Sequence, residues 1–361
     1  MTFSKYFKAA AVVAALFVIS ALPAAAQSGG PNIQQDIINS VVQNIIQNVR
    51  DQIYRRRLVP ASRPLGFGAE DSDFDSHDPF AANGAGDPFS ALAYTKAIYS
   101  KAPPVTVSNW LYGANLVGSG DRSSTFGSAT SVATVTGAFD VTKIGIFTAT
   151  DALTFIGTGS DSWSHTRIGD FATDTSAPAG SGTLSYLNGA FSADFTSLAS
   201  WSRSEFTLGP ATEASTVSYT ENAQYRFDLP YTMFVEPTVG VTYTEAYTAN
   251  FAAEVSDMTE VHGGARAGIE TKWMGYTVQP VIAGSVYQIV DSNLVATGLP
   301  LVPSSVIGYR GSAKVTVIWN DHFSSYLEGH ASGMSGSSAP IVGFATTQVV
   351  GAQAGLRYTW N

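Results

Sequence analysis

In this 361-residue chain the side chains best suited to metal or acid–base chemistry are five histidines, His77, His165, His262, His322 and His330. None is followed three or four residues later by another His, Asp or Glu, so no ligand-like partner stands at i+3 or i+4 from any of them. Cysteine is missing altogether, which removes disulfides, thiolate nucleophiles and thiolate metal sites together. No GxSxG elbow, phosphate-cradling glycine loop or HExxH motif occurs. Asp71, Asp73 and Asp75 alternate as at the start of a calcium loop, but Ser76 stands where the sharp turn needs Gly, and Ala82 where the closing Glu belongs. The glycines of GGARAG and GTGSDSW sit in strand-like sequence, where glycine relieves crowding or allows a bend. These residues lead to the expectation of no enzyme activity, no metal and no cofactor.

What remains is a constellation of charges at strand-like spacing: Arg226, Glu236, Glu260, Arg266, Glu270, Lys272, Arg310, Lys314, Glu328 and Arg357. Their mixed signs suit a hydrogen-bonded interior that holds a plug or stiffens a wall better than a selectivity filter, which favours one sign. The elements that must carry them are strands. In Met258 to Trp273, Glu260, His262, Gly264, Arg266, Gly268, Glu270 and Lys272 fall on one face, and Val261, Ala265, Ala267, Ile269 and Trp273 on the other. SYTENAQYRFD, YRGSAKVTVIW and VVGAQAGLRYTWN repeat the pattern, with Glu221 breaking it in the first.

Strands are expected at 107–118, 130–148, 153–165, 182–192, 195–208, 215–228, 232–248, 258–273, 275–290, 306–319, 322–334 and 349–360. Tight turns fall near Ala149 to Ala152, Ala193 and Asp194, Leu229 to Tyr231, Met274, and Asn320 with Asp321. Longer loops run over Ser119 to Ala129, Thr166 to Ser181, Gly209 to Ala214, Ala249 to Asp257, Asp291 to Ser305 and Ser335 to Gln348. Short turns on one rim and long loops on the other are the habit of outer-membrane barrels. Facing the charged side of the 258–273 strand to lipid would expose two bases at about 2–4 kcal/mol each near the midplane, and two acids at somewhat less. The charged faces therefore point into a lumen, with His262, His322 and His330 also on lumen-facing positions. Aromatics near strand ends, Trp110, Tyr112, Trp273, Tyr276, Tyr309, Trp319, Phe323, Tyr358 and Trp360, suit an interfacial girdle.

The rest of the chain fits that reading. Residues 1–26 have the layout of a cleaved secretory signal: Lys5 and Lys8, an apolar run from Ala9 to Leu22, then Pro23 and three alanines before Gln27. Residues 27–59 hold an amphipathic helix, with Ile and Val at spacings of three and four from Ile33 to Ile53 and Arg55, Arg56 and Arg57 at its negative end. Its stripe suits self-association through 33–57 or docking on or near the barrel. Residues 60–104 read as linker, with Phe89 to Lys101 able to form one short helix before the first strand. A net charge of -9 argues against a nucleic-acid partner. Only 13% of residues are charged, which suits strands meeting outer-membrane lipid better than a solvated globule.

Residues 105–361 resemble the autotransporter (type V secretion) β-domain of Gram-negative bacteria. The resemblance rests on NWLYGANL at Asn109 to Leu116, Gly137 and Asp140, the FVEPTVGVTYTEA segment with Glu236 and Pro237, GGARAGIE with Arg266 and Gly268, and the ending AGLRYTW. It implies an all-β, 12-stranded antiparallel transmembrane barrel, a helix before the first strand that threads the lumen, and recognition by the barrel-assembly machinery. The C-terminal assembly signal would be Leu356, Tyr358 and Trp360, with Asn361 following the aromatic that usually ends the chain. Only about sixty residues, from Gln27 to the region of Asp87, stand where this family carries a long passenger. The expected function is a translocator that anchors or exports its own short N-terminal segment. A porin-like channel and a surface anchor for an adhesive helix are the alternatives.

Overall fold

The computed structural model describes residues 110–360, apart from residues 126–127, 149, 208–209, 295–306 and 336–346. The expected signal, helix and linker all lie outside the described residues. Twelve antiparallel strands form one closed barrel. They are β1 (Trp110–Thr125), β2 (Ser128–Ile144), β3 (Ala152–Ile168), β4 in two pieces (Phe171–Ser176 and Ala179–Asn188), β5 (Phe191–Phe206) and β6 (Thr212–Tyr225, continued by Phe227–Leu229). The second half is β7 (Met233–Thr248), β8 (Glu254–Ile269, continued by Thr271–Trp273), β9 (Tyr276–Leu294), β10 (Ile307–Ile318), β11 (Phe323–Ser335) and β12 (Thr347–Trp360). Closure is made by β1 and β12, in register from Tyr112 opposite Trp360 to Ser124 opposite Gln348. A closed sheet leaves no edge, which is how backbone polar groups survive in hydrocarbon.

Period two turns directly into sidedness. On β2, Thr130, Thr134, Thr136, Asp140 and Thr142 are buried, while Val135 and Phe139 are exposed. The interruption in β4 falls at Pro178, which has no N–H to give the ladder. Neighbouring strands still hold its backbone through Ala177 N–H to Ser162 (2.8 Å) and Trp201 N–H to the Pro178 carbonyl (2.9 Å). Trp110, Trp273, Tyr276, Trp319 and Tyr358 are exposed on the rim that carries both strand ends of the closure. Tyr276 packs on Trp319 at 5.0 Å and Tyr112 on Trp360 at 6.0 Å, so this rim has an aromatic girdle.

Several expectations about connections need correction; the expected loops at Gly209 to Ala214, Ala249 to Asp257 and Asp291 to Ser305 each give up one end to paired strand, at Thr212 to Ala214, Glu254 to Asp257 and Asp291 to Leu294. The turn placed at Ala193 and Asp194 lies instead at Gly189 and Ala190, and Ala193 and Asp194 are paired within β5. Asn188–Gly189 is the local reason, since Gly189 takes φ +56, a left-handed value that costs glycine nothing. Ser119 to Thr125 and Ser128 to Ala129, expected as loop, are paired strand; Gly120 and Asp121 have low β propensity, but pairing with Ala352 and Gly351 overrides it. Thr166 to Ser181 likewise holds strand on both sides of a two-residue turn at Gly169 and Asp170. The contrast of short and long rims is therefore weaker than expected in the first third of the barrel.

Candidate functional site

The inner wall has two unlike sides. From β2 to β7 it is lined by paired hydroxyls: Thr130 with Thr166 (2.8 Å), Thr134 with Ser162 (2.9 Å), Thr183 with Thr196 (2.9 Å), Ser218 with Thr244 (3.1 Å) and Thr220 with Thr242 (3.1 Å). From β7 round to β1 and β2 it carries ions, with Asp194 of β5 the one inward acid that extends them onto the hydroxyl side among the described residues. Cross-strand register produces three of these contacts directly. Arg266 Nε and Nη2 donate to Glu236 Oε2 at 3.0 and 2.9 Å, and the Glu236 side chain is 0% exposed. Lys314 Nζ stands 4.0 Å from Glu328 and 4.5 Å from the Tyr326 ring, and Gln353 donates to Glu328 at 2.8 Å.

Other contacts skip a strand, and a glycine beneath them makes that possible. Asn222 of β6 meets His262 of β8 at 2.8 Å above Gly240 of β7, where a β carbon would strike Asn222 Oδ1 and His262 Nε2. Asp140 of β2 meets Arg357 of β12 at 2.9 Å above Gly113 of β1. Asp121 of β1 meets His330 of β11 at 2.6 Å above Gly351 of β12. A belt runs through the first of these: Asp194 accepts from Asn222 (2.9 Å), His262 lies 3.4 Å from Glu260, and Arg310 clamps both Glu260 oxygens at 2.8 and 2.7 Å while stacking 3.8 Å over Tyr287. Fork-to-fork pairing of this kind fixes geometry as well as charge.

Of the ten charges singled out in the sequence, Glu236, Glu260, Arg266, Arg310, Lys314, Glu328 and Arg357 come together in this wall. Arg226 and Glu270 form a separate pair at the girdle rim (3.0 Å), with the guanidinium 4.4 Å over Phe234 and 2.6 Å from Asp228. Lys272 is exposed at the end of β8 and does not join them. His322 is corrected: it sits exposed in the turn between β10 and β11, with Nδ1 2.8 Å from the Thr359 carbonyl oxygen. Asp121 and Asp194 were missed because both fell in segments read as loop or turn; carrying the period of their strands onward would have placed them inward. Among the described residues no three His, Asp or Glu side chains converge as a metal-ligand set.

Outside, Leu356 and Tyr358 are exposed and Tyr358 stacks on Trp360 at 5.8 Å, an aromatic strip beside the closure. No family model matches the sequence, and no curated protein does. Among solved structures, the β domain of the Bordetella autotransporter BrkA matches with TM-score 0.51 at 14% identity, over 70% of this chain and 99% of that one. The barrel has the autotransporter β-domain fold. The translocator domain of NalP from Neisseria meningitidis matches at TM-score 0.45 and 10% identity, over 70% of this chain and 88% of that one. The transport unit of AIDA-I from Escherichia coli matches at 0.44 and 9%, over 74% and 96%. An apolar outer wall round an autotransporter-type barrel, with ions turned inward, is a transmembrane structure of the bacterial outer membrane.

Proposed function

We propose that this barrel is a translocator that anchors its own short N-terminal segment and delivers it to the cell surface through the lumen. The burial of small inward side chains supports the reading most. An eight-stranded barrel is just filled by its own side chains, and twelve strands enclose more. Yet Thr183 and Ser192 are 0% exposed and Ser215 is 1% exposed, too small to cover themselves across so wide a bore. A polypeptide segment in the lumen accounts for this, and Phe89 to Lys101, immediately before the first strand, is the segment proposed for it, which leaves residues 33–57 for display. Leu356, Tyr358 and Trp360 serve in this reading as the strip offered to the barrel-assembly machinery.

Protease shaving of intact cells, with detection of an epitope in residues 33–57, tests display. Loss of the epitope is expected, and its protection on cells whose barrel is inserted overturns surface delivery. Conductance in planar bilayers tests occupancy: deletion of residues 27–101 is expected to raise it. Equal conductance with and without that segment would mean that the bore is not held by it.

A further inference from the structure

On β6 one charged residue interrupts the lipid-facing row. Ser218, Thr220, Asn222 and Gln224 are buried, so Glu221 points outward, and it is exposed. It stands in register between Phe195 of β5 and Val241 of β7, and the same row of paired residues continues through Val261 and Gln288 to Ile307. Along this row the outer wall is hollowed into a groove of about 1100 Å³. Its outward side chains are apolar or aromatic except Glu221 and Gln288, and among the described residues Glu221 is the one charged group turned outward into it. Ionisable groups in spanning segments nearly always face the protein interior or meet a counter-charge, because hydrocarbon solvates neither. Among the described residues no base pairs with this carboxylate, so its counter-charge must come from whatever covers the wall.

Lipid covers it. Glu221 lies four residues from Tyr225, where the main span of β6 ends at the girdle rim. That is about 13 Å of strand, or about 10 Å of depth at a tilt of about 40°. A glutamate leaning toward the rim and a headgroup drawn inward from it close that distance from both ends, the reverse of the usual snorkelling of a base. A carboxylate repels phosphatidylglycerol-type anionic headgroups and favours an ammonium. We propose that Glu221 and the groove form a binding site for an ammonium-bearing phospholipid, with the headgroup nitrogen on the carboxylate and an acyl chain laid along Val241 and Val261.

The test uses the full-length protein in nanodiscs of equal phosphatidylethanolamine and phosphatidylglycerol, with retained lipid counted by native mass spectrometry. Wild type is expected to keep the ethanolamine lipid about three- to fivefold over the glycerol lipid, which is what one partly exposed ion pair supplies. Glu221→Gln and Glu221→Leu are expected to bring the ratio to parity, with heat-modifiable gel mobility showing that both variants still form the barrel. Equal ratios in wild type and both variants overturn the site. So does a wild type that excludes lipid from this wall and retains a second polypeptide there, which would make the groove a protein interface. Neither result bears on whether the N-terminal segment is displayed.

Discussion

At the residue scale, the inner wall shows how much a single missing β carbon permits. Gly240 lies under the Asn222–His262 contact, and Gly240→Val is expected to destabilise the barrel more than the same change at Gly137, whose β carbon would meet nothing within 4 Å. Urea unfolding in detergent, followed by tryptophan fluorescence, compares the two. The Glu236–Arg266 pair makes a sharper case, since Glu236 is 0% exposed. Arg266→Met is expected to cost about 3–5 kcal/mol by stranding a buried charge, whereas Glu236→Leu with Arg266→Met recovers most of that loss. A double variant as unstable as the single one would show that the pair is not the source of the cost. Of these residues, Glu236 and Arg266 were legible in the sequence, because both stand at inward phase in unbroken alternation. Gly240 was not, because what it permits depends on side chains from the strands on either side.

At the scale of the element, the turns decide register. Gly189 has φ +56, so Gly189→Val is expected to cost about 1–2 kcal/mol through left-handed backbone strain, read as a lower urea midpoint at unchanged slope. The connection from β2 to β3 is fastened differently, by the buried carboxylate of Asp151. Burial works to raise this carboxyl. The backbone N–H groups of Phe147, Thr148 and Ile146 and the Tyr186 hydroxyl outweigh it and hold the group below its ordinary value near 3.8. A carboxyl lowered on folding adds stability that is complete above its unfolded value and fades as pH falls through the folded one. The stability gap between wild type and Asp151→Asn is therefore expected to be level at neutral pH and to shrink below about pH 4. A gap that is constant down to pH 2 would count against this fastening. Existence and order of the strands could be read from alternation alone. Their ends could not: Gly120 and Asp121 look like loop until β12 pairs with them, and Asn188–Gly189 and Ala193–Asp194 both interrupt the apolar alternation, so that pairing alone decides which is the turn.

For the whole molecule, closure of the sheet is the event that turns a chain into a barrel, and two ionic contacts straddle it. Asp140–Arg357 and Asp121–His330 each reach across the β1–β12 joint by way of the strand beyond it. Asp121→Asn with Asp140→Asn is expected to lower the temperature at which the compact gel band converts to the unfolded one, more than Glu205→Gln with Glu213→Gln, whose partner Arg203 is well exposed. Equal shifts in the two double variants would deny the seam any special role. The overall class was readable because lipid and lumen impose opposite chemistry on alternate residues. The unequal division of the bore was not, since serine and threonine look alike whether they line a channel or a loop. That division has a mechanical consequence. A chain sliding past neutral hydroxyls trades one weak contact for the next and is barely retarded, while the opposite flank grips through carboxylates and guanidinium groups fixed in place. On the translocator proposal, a segment passing through such a bore would be steered onto one flank and kept from spinning, and so would leave it in a set rotational orientation.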